Sequence, residues 1–295
     1  MLSVKDEVRV KVTVLTITWR PGYIDTMAQA LFSQTMPKEN WEWILVDDLS
    51  EIRHEAVANF VQDKIPNFLH LPPREIKPYS ATATAVNTGL AQAQGELVYF
   101  MADYTYPHPR CLERHWEIFQ RYGPKVLTIG PLVDGITLQG KSVFQGAPPV
   151  WLTVKVGDKL IQYWEHLPPV DWPLKPDFEQ VRPENYISIF KKPFRPVWPQ
   201  NLPPDWRLGQ VCQVSVAPNV YETFDFHWWW GGRNDSASLA MLREVGGLEE
   251  ANQAQHGGLE VEMVQKMMAR GCRLLVDRKV PCYILPHPIR KREVK

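Results

Sequence analysis

The sequence predicts an α/β fold built on a mostly parallel central sheet, and three observations carry that reading. Short β-branched, apolar runs alternate with helix-compatible stretches over residues 10–122, which is the pattern of βαβ units with parallel strands. Polar residues fall where those apolar runs end, the place at which open α/β sheets bind ligands. The composition is that of an ordinary globular chain: 295 residues, 44% hydrophobic and 22% charged, enough for a sizeable buried core.

Taken in order, residues 10–18 (VKVTVLTIT) form the first predicted strand, and residues 24–34 suit a helix. Residues 41–48 (WEWILVDD) read as a second strand that ends in two carboxylates, followed by a helix over 53–60. An Ala- and Thr-rich stretch, 81–93, predicts a third helix, and the short strand 97–101 runs into Ala102, Asp103 and Tyr104. Residues 111–122 predict an amphipathic helix.

The rhythm stops over residues 134–225, where prolines such as Pro148, Pro149, Pro168, Pro169, Pro203 and Pro204 crowd the chain. Proline removes a backbone donor and restricts its predecessor, so long helices and central strands are excluded there. Trp151, Trp164, Trp172, Trp198 and Trp206 argue for order, since disordered segments are poor in aromatics. The expectation is a loop-rich insertion with short edge strands, lying over the strand ends where ligands bind and helping to form the pocket for a second substrate. Beyond it, helices are expected over 236–245 and 259–269, each closed by glycine, and short strands over 274–276 and 282–285. The chain thus divides into 1–133, a ligand-binding half; 134–225, the insertion; and 226–295, all within one compact domain.

Charge narrows the partners. Thirty-three basic residues balance thirty-three acidic ones, so no global field draws in nucleic acid or an anionic membrane, and phosphate binding must be local. The N-terminal MLSVKDEVRVKV is too charged for a secretory signal, and no apolar run approaches the roughly 20 residues of a membrane helix, so a cytoplasmic location is expected. Cys111, Cys212, Cys272 and Cys282 contain no CxxC pair and read as reduced thiols.

Three blocks in the order of one family then stand out: VTVLTITWRPGYIDTMAQALFSQT with WEWILVDDLSE; NTGLAQAQGELVYFMADYTYPHP; and GGRNDSASLAMLREVGGLEE with HGGLEVEMVQKMMARG. The sequence resembles the inverting family-two glycosyltransferases over residues 10–122 and 228–287. That resemblance implies a GT-A fold and transfer of a sugar from a nucleotide-diphosphate sugar to an acceptor hydroxyl.

It also assigns roles. Thr18 and Trp19 lie where the family holds the nucleotide, Trp19 stacking on the base, and Asp48 lies where a carboxylate accepts from the uracil ring, which implies a UDP-sugar. The diphosphate region usually presents two or three carboxylates to Mn²⁺ or Mg²⁺. Here Ala102, Asp103 and Tyr104 leave only Asp103, with His287 as the further metal ligand the resemblance implies. Lys77, Arg290, Lys291 and Arg292 are cations that could contact phosphate directly. Glu260 falls where the family places its general base, in a first helical turn whose dipole favours a carboxylate. Trp230, Gly232, Asn234 and Asp235 are the residues expected at the acceptor and sugar.

Two rivals share the architecture. A nucleotidyltransferase would want a Gly-rich loop after the first strand, whereas TWRPGYID holds one glycine and a proline. A catalytically impaired nucleotide- or carbohydrate-binding protein is supported by Ala102 and Tyr104 and opposed by Glu260. The acceptor, whether a glycan, a small molecule or a modified macromolecule, is not specified by these residues.

Overall fold

The computed structural model describes residues 10–18, 24–61, 63–75, 82–134, 150–156, 159–165, 214–223, 232–251, 259–284 and 288–290. Strand β1 (Val12–Thr18) leads to α1 (Ile24–Phe32), β2 (Trp41–Asp47), α2 (Ser50–Val61) and β3 (Phe68–Leu71). Then α3 (Thr82–Gln92), β4 (Leu97–Phe100), β5 (Thr105–Pro107), α4 (Cys111–Tyr122), β6 (Val126–Ile129) and β7 (Leu132–Asp134) follow. Within the span read as an insertion lie β8 (Val150–Val156), β9 (Lys159–Glu165), β10 (Val214–Ala217) and β11 (Val220–Thr223). The chain continues through β12 (Asp235–Ser238), α5 (Leu239–Glu244), α6 (Leu259–Met268), β13 (Arg273–Asp277), β14 (Cys282–Ile284) and β15 (Pro288–Arg290).

The main sheet has nine strands in the order β10-β11-β13-β6-β12-β4-β1-β2-β3. Strands β1, β2, β3 and β4 pair in parallel, β13 pairs in parallel with β6, and β12 runs antiparallel between β4 and β6. The mixed α/β architecture with a mostly parallel sheet is therefore as the sequence predicts. Alternation sorts the core onto the two faces of the sheet, because successive strand residues point to opposite sides. Leu15, Ile44, Val46, Val98 and Phe100 pack with α3, α5 and α6, whereas Val12, Val14, Trp43, Leu45 and Tyr99 pack with α1, α2 and α4.

Two expectations change. Residues 236–238 are not helical: Asp235–Ser238 is a central strand, and the helix begins only at Leu239, where the Ser238 hydroxyl accepts from the Met241 N–H. Ladder bonds to β4 and β6, and a 2.7 Å bond between Ser236 Oγ and His115 Nδ1, let these polar residues be buried. The span 134–225 is also not one unit. Its end, β10 and β11, forms the edge of the main sheet against β13, while β8 and β9 form a separate sheet with β15 in the order β15-β9-β8.

Candidate active site

Strand order puts the site at one place. From β1 the chain winds through β2 and β3 to one side, then returns over α3 to add β4 on the other side. The carboxyl ends of β1 and β4 are thus a topological switch point, where an open α/β sheet leaves a crevice. Thr18 ends β1 and Asp103 follows β4, and the Thr18 hydroxyl donates to Asp103 Oδ2 at 2.8 Å across that crevice. Asp103 is 3% exposed, and the hydroxyl both stabilises its charge and fixes its rotamer.

A cavity of about 180 Å³ opens there, lined by Asp103, Tyr104, Gly232 and Glu260 among others. Glu260 is the second residue of α6, and Asp103 stands just past a strand distant in sequence, so the fold brings these two and Gly232, three of the predicted site residues, to one opening. Gly232 adopts φ +65°, a left-handed conformation that glycine takes without strain, and an added Cβ there would meet nothing within 4 Å. Its role is the turn itself.

The adjacent carboxylates of β2 divide into two roles. Asp47 is fully buried and receives two 2.6 Å bonds from Arg53, one of 2.8 Å from the Leu49 N–H, and lies 2.9 Å from His70 Nε2. Burial by itself raises this carboxyl, but the Arg53 guanidinium and the His70 contact prevail and hold it at about 2. Asp48 is half-buried, and its N–H donates to the Thr18 carbonyl at 3.0 Å, which joins the ends of β1 and β2. Asp47 therefore fixes the turn on which Asp48 stands. Sequence reading missed this support; its one signal was an arginine and a histidine beside an otherwise apolar strand pair.

A second support also went unread. The Asn87 side chain accepts from the Leu248 N–H at 2.9 Å and donates to the Leu248 carbonyl at 2.8 Å and to Glu250 Oε1 at 2.8 Å. Arg74 reaches Glu250 Oε2 at 2.6 Å. The clamp ties the segment after α5 to α3, and Leu248 lines the cavity. It leaves no room for a side chain at Gly247, whose φ is +67° and whose Cβ would stand 2.2 Å from Asn87 Oδ1.

Asn234 and Asp235 do not join the cavity. Asn234 is fully buried; its amide donates to the Val280 carbonyl at 2.9 Å and the Pro131 carbonyl at 3.2 Å, and it accepts from the Tyr99 hydroxyl at 2.9 Å. A side chain so engaged is a core hub and cannot also bind sugar. Asp235 is 2% exposed in β12, with its carboxylate accepting from the Arg233 N–H at 3.2 Å. Trp19, Trp230, His287, Lys77, Lys291 and Arg292 lie outside the described residues.

The same geometry decides what can hold a metal. Among the described residues, no group of three or more His, Cys, Asp or Glu side chains is arranged to hold an ion. Asp103 is the only carboxylate that β4 delivers to the crevice, and a hard divalent cation wants six or more oxygens. The described side chains do not make a metal site by themselves.

Residues 14–141 match the family model described as Glycosyl transferase family 2. This region is similar to the family 2 glycosyltransferases. Solved structures extend the likeness to the whole GT-A fold. TarS of S. aureus in complex with UDP-GlcNAc matches with a TM-score of 0.53 at 15% identity, over 97% of this chain and 60% of that one. GalNAc-T7 with UDP, GalNAc and Mn²⁺ gives 0.55 at 12%, over 96% and 45%. The mannosyltransferase PcManGT from Pyrobaculum calidifontis, in complex with GDP-Man and Mn²⁺, gives 0.50 at 14%, over 93% and 56%. The chain thus spans less than two thirds of each, and at such identities the likeness is one of GT-A fold. No curated protein sequence matches the chain. Among the described residues, no helix is long and apolar enough to cross a membrane.

Proposed function

We propose that this chain transfers a sugar from a nucleoside diphosphate sugar, a UDP-sugar, to an acceptor hydroxyl in one inverting displacement. The observation that carries the reading is the convergence of Asp103 and Glu260 on a single cavity at the switch point between β1 and β4. Asp103, oriented by Thr18, faces the diphosphate end of the donor. Glu260 accepts the proton of the acceptor hydroxyl as its oxygen attacks the anomeric carbon, and the nucleoside diphosphate leaves from the opposite face. Asp48, on the turn that Asp47 fixes, reads the base.

A divalent cation bound together with the diphosphate, Mn²⁺ or Mg²⁺, belongs to the same proposal, with Asp103 its one described protein ligand; no step depends on it. Relatives of this fold hold UDP in two cases and GDP-Man in a third, so the base is read from Asp48 and from no property of the fold. The acceptor is any hydroxyl that reaches Glu260.

The decisive experiment is Glu260→Gln. Turnover should fall by about 10²-fold or more, the scale of a positioned base, while donor affinity stays near that of the parent, and the product of the parent should carry the inverted anomeric configuration. Retained configuration, or near-normal turnover in the variant, refutes the assignment.

A further inference from the structure

The polar residues of the cavity lie at helix N-termini and strand ends, and the lining behind them is apolar. Thr82 opens α3 and Glu260 stands in the first turn of α6, so these two, with Asp103 and Tyr104, mark the mouth at the helix N-termini and strand ends. Val86 and Met263 also line it, and they lie one turn deeper on the same helix faces, at spacings of four and three residues. Leu15 and Phe100, from further back along β1 and β4, complete the floor. These four floor residues are 2–6% exposed.

A floor of this kind has no hydrogen-bond partner to offer. A sugar hydroxyl pressed against it would lose its water unpaired, at a cost on the order of tenfold to a hundredfold in affinity. A methyl group would gain from leaving water. The opening as a whole, its polar residues included, has a volume of about 180 Å³.

Resting on the donor reading above, we infer that the chamber takes a methyl-terminated substituent of the transferred sugar, so that the chain selects donors bearing an acetamido or a 6-deoxy group over fully hydroxylated hexoses. The polar groups at the mouth keep the ring hydroxyls, and the floor receives the methyl.

The test is calorimetric titration of the whole chain with UDP, UDP-glucose, UDP-N-acetylglucosamine and UDP-6-deoxyglucose. One of the two methyl-bearing donors should bind at least tenfold more tightly than UDP-glucose, and which one does so identifies the substituent. Val86→Phe, which fills the floor, should lower the affinity of that donor to the level of UDP while UDP binding is unchanged. Met263→Gln, which makes the floor polar without filling it, should narrow the discrimination. If UDP binds but UDP-glucose binds as well as or better than both other donors, the inference is overturned. It is overturned equally if both variants keep the parent's discrimination. If UDP itself does not bind, the donor reading fails, and this inference with it.

Discussion

Replacing Arg53 by methionine isolates the contribution of the buried ion cluster behind the turn that carries Asp48. Asp47 and the Arg53 side chain are both fully buried, joined by two 2.6 Å bonds, with His70 at 2.9 Å. In the parent the Asp47 carboxyl is held at about 2, against roughly 3.9 in an unfolded chain, a difference of about 2.5 kcal/mol. Because the folded value is depressed, that stability is present above about pH 4 and is lost as pH falls through about 2. Arg53→Met removes the cation and leaves the carboxylate buried, which should cost about 3–5 kcal/mol at neutral pH. Desolvation then dominates and raises the folded value above the unfolded one. The sign of the pH dependence inverts: the variant should gain stability, relative to the parent, as pH is lowered from 7 toward 4. Urea unfolding at a series of pH values reads both quantities. Pairing Arg53→Met with Asp47→Leu should recover most of the loss, since no buried charge then remains. A neutral-pH loss under about 1 kcal/mol, or an unchanged slope with pH, would refute the reasoning.

Other expectations follow from single contacts. Asp103→Asn should weaken Mn²⁺-dependent binding of a nucleoside diphosphate sugar without changing the affinity for free nucleoside. Thr18→Val should do the same by about tenfold through the lost charge-assisted bond, both read by calorimetry. Asn234→Leu should destabilise the fold by about 3 kcal/mol, because it strands the Tyr99 hydroxyl and two carbonyls in the core, yet leave donor affinity of the folded protein unchanged. A large affinity loss with normal stability would return Asn234 to the sugar site.

The elements that could be read from sequence were those whose apolar pattern is strong. Strand β1, strand β2 and helix α4 lie within a residue or two of their expected positions because VTVLTIT and WEWILVD have few alternative burials and the CLERHWEIFQRY stripe has one apolar face. Strand β12 was illegible for the opposite reason. DSAS has no apolar alternation, and only tertiary partners such as His115 and the flanking strands β4 and β6 make its burial favourable. The carboxylate pair shows the same division. That one of Asp47 and Asp48 faces inward follows from strand alternation, but which one depends on Arg53 and His70, brought in from α2 and β3.

Asp103 and Glu260 line one cavity from positions far apart in the sequence, and buried polar contacts join the elements near them. Asp103 is held by the end of β1, whereas Glu260 stands far along the chain in α6, so their relation depends on how the elements that carry them are fastened together. Two fastenings are in place. Strand β12 inserts between β4 and β6, so the segment after Gly232 is hydrogen-bonded directly to the strand that delivers Asp103. Asn87 then grips Leu248 by both its N–H and its carbonyl, fixing the segment that leads toward α6 onto α3. Buried hydrogen-bonded groups of this kind are costly to leave half-satisfied and so tolerate few alternative arrangements. The strand that delivers Asp103 is thus anchored in the sheet, and the segment after α5 is anchored on α3.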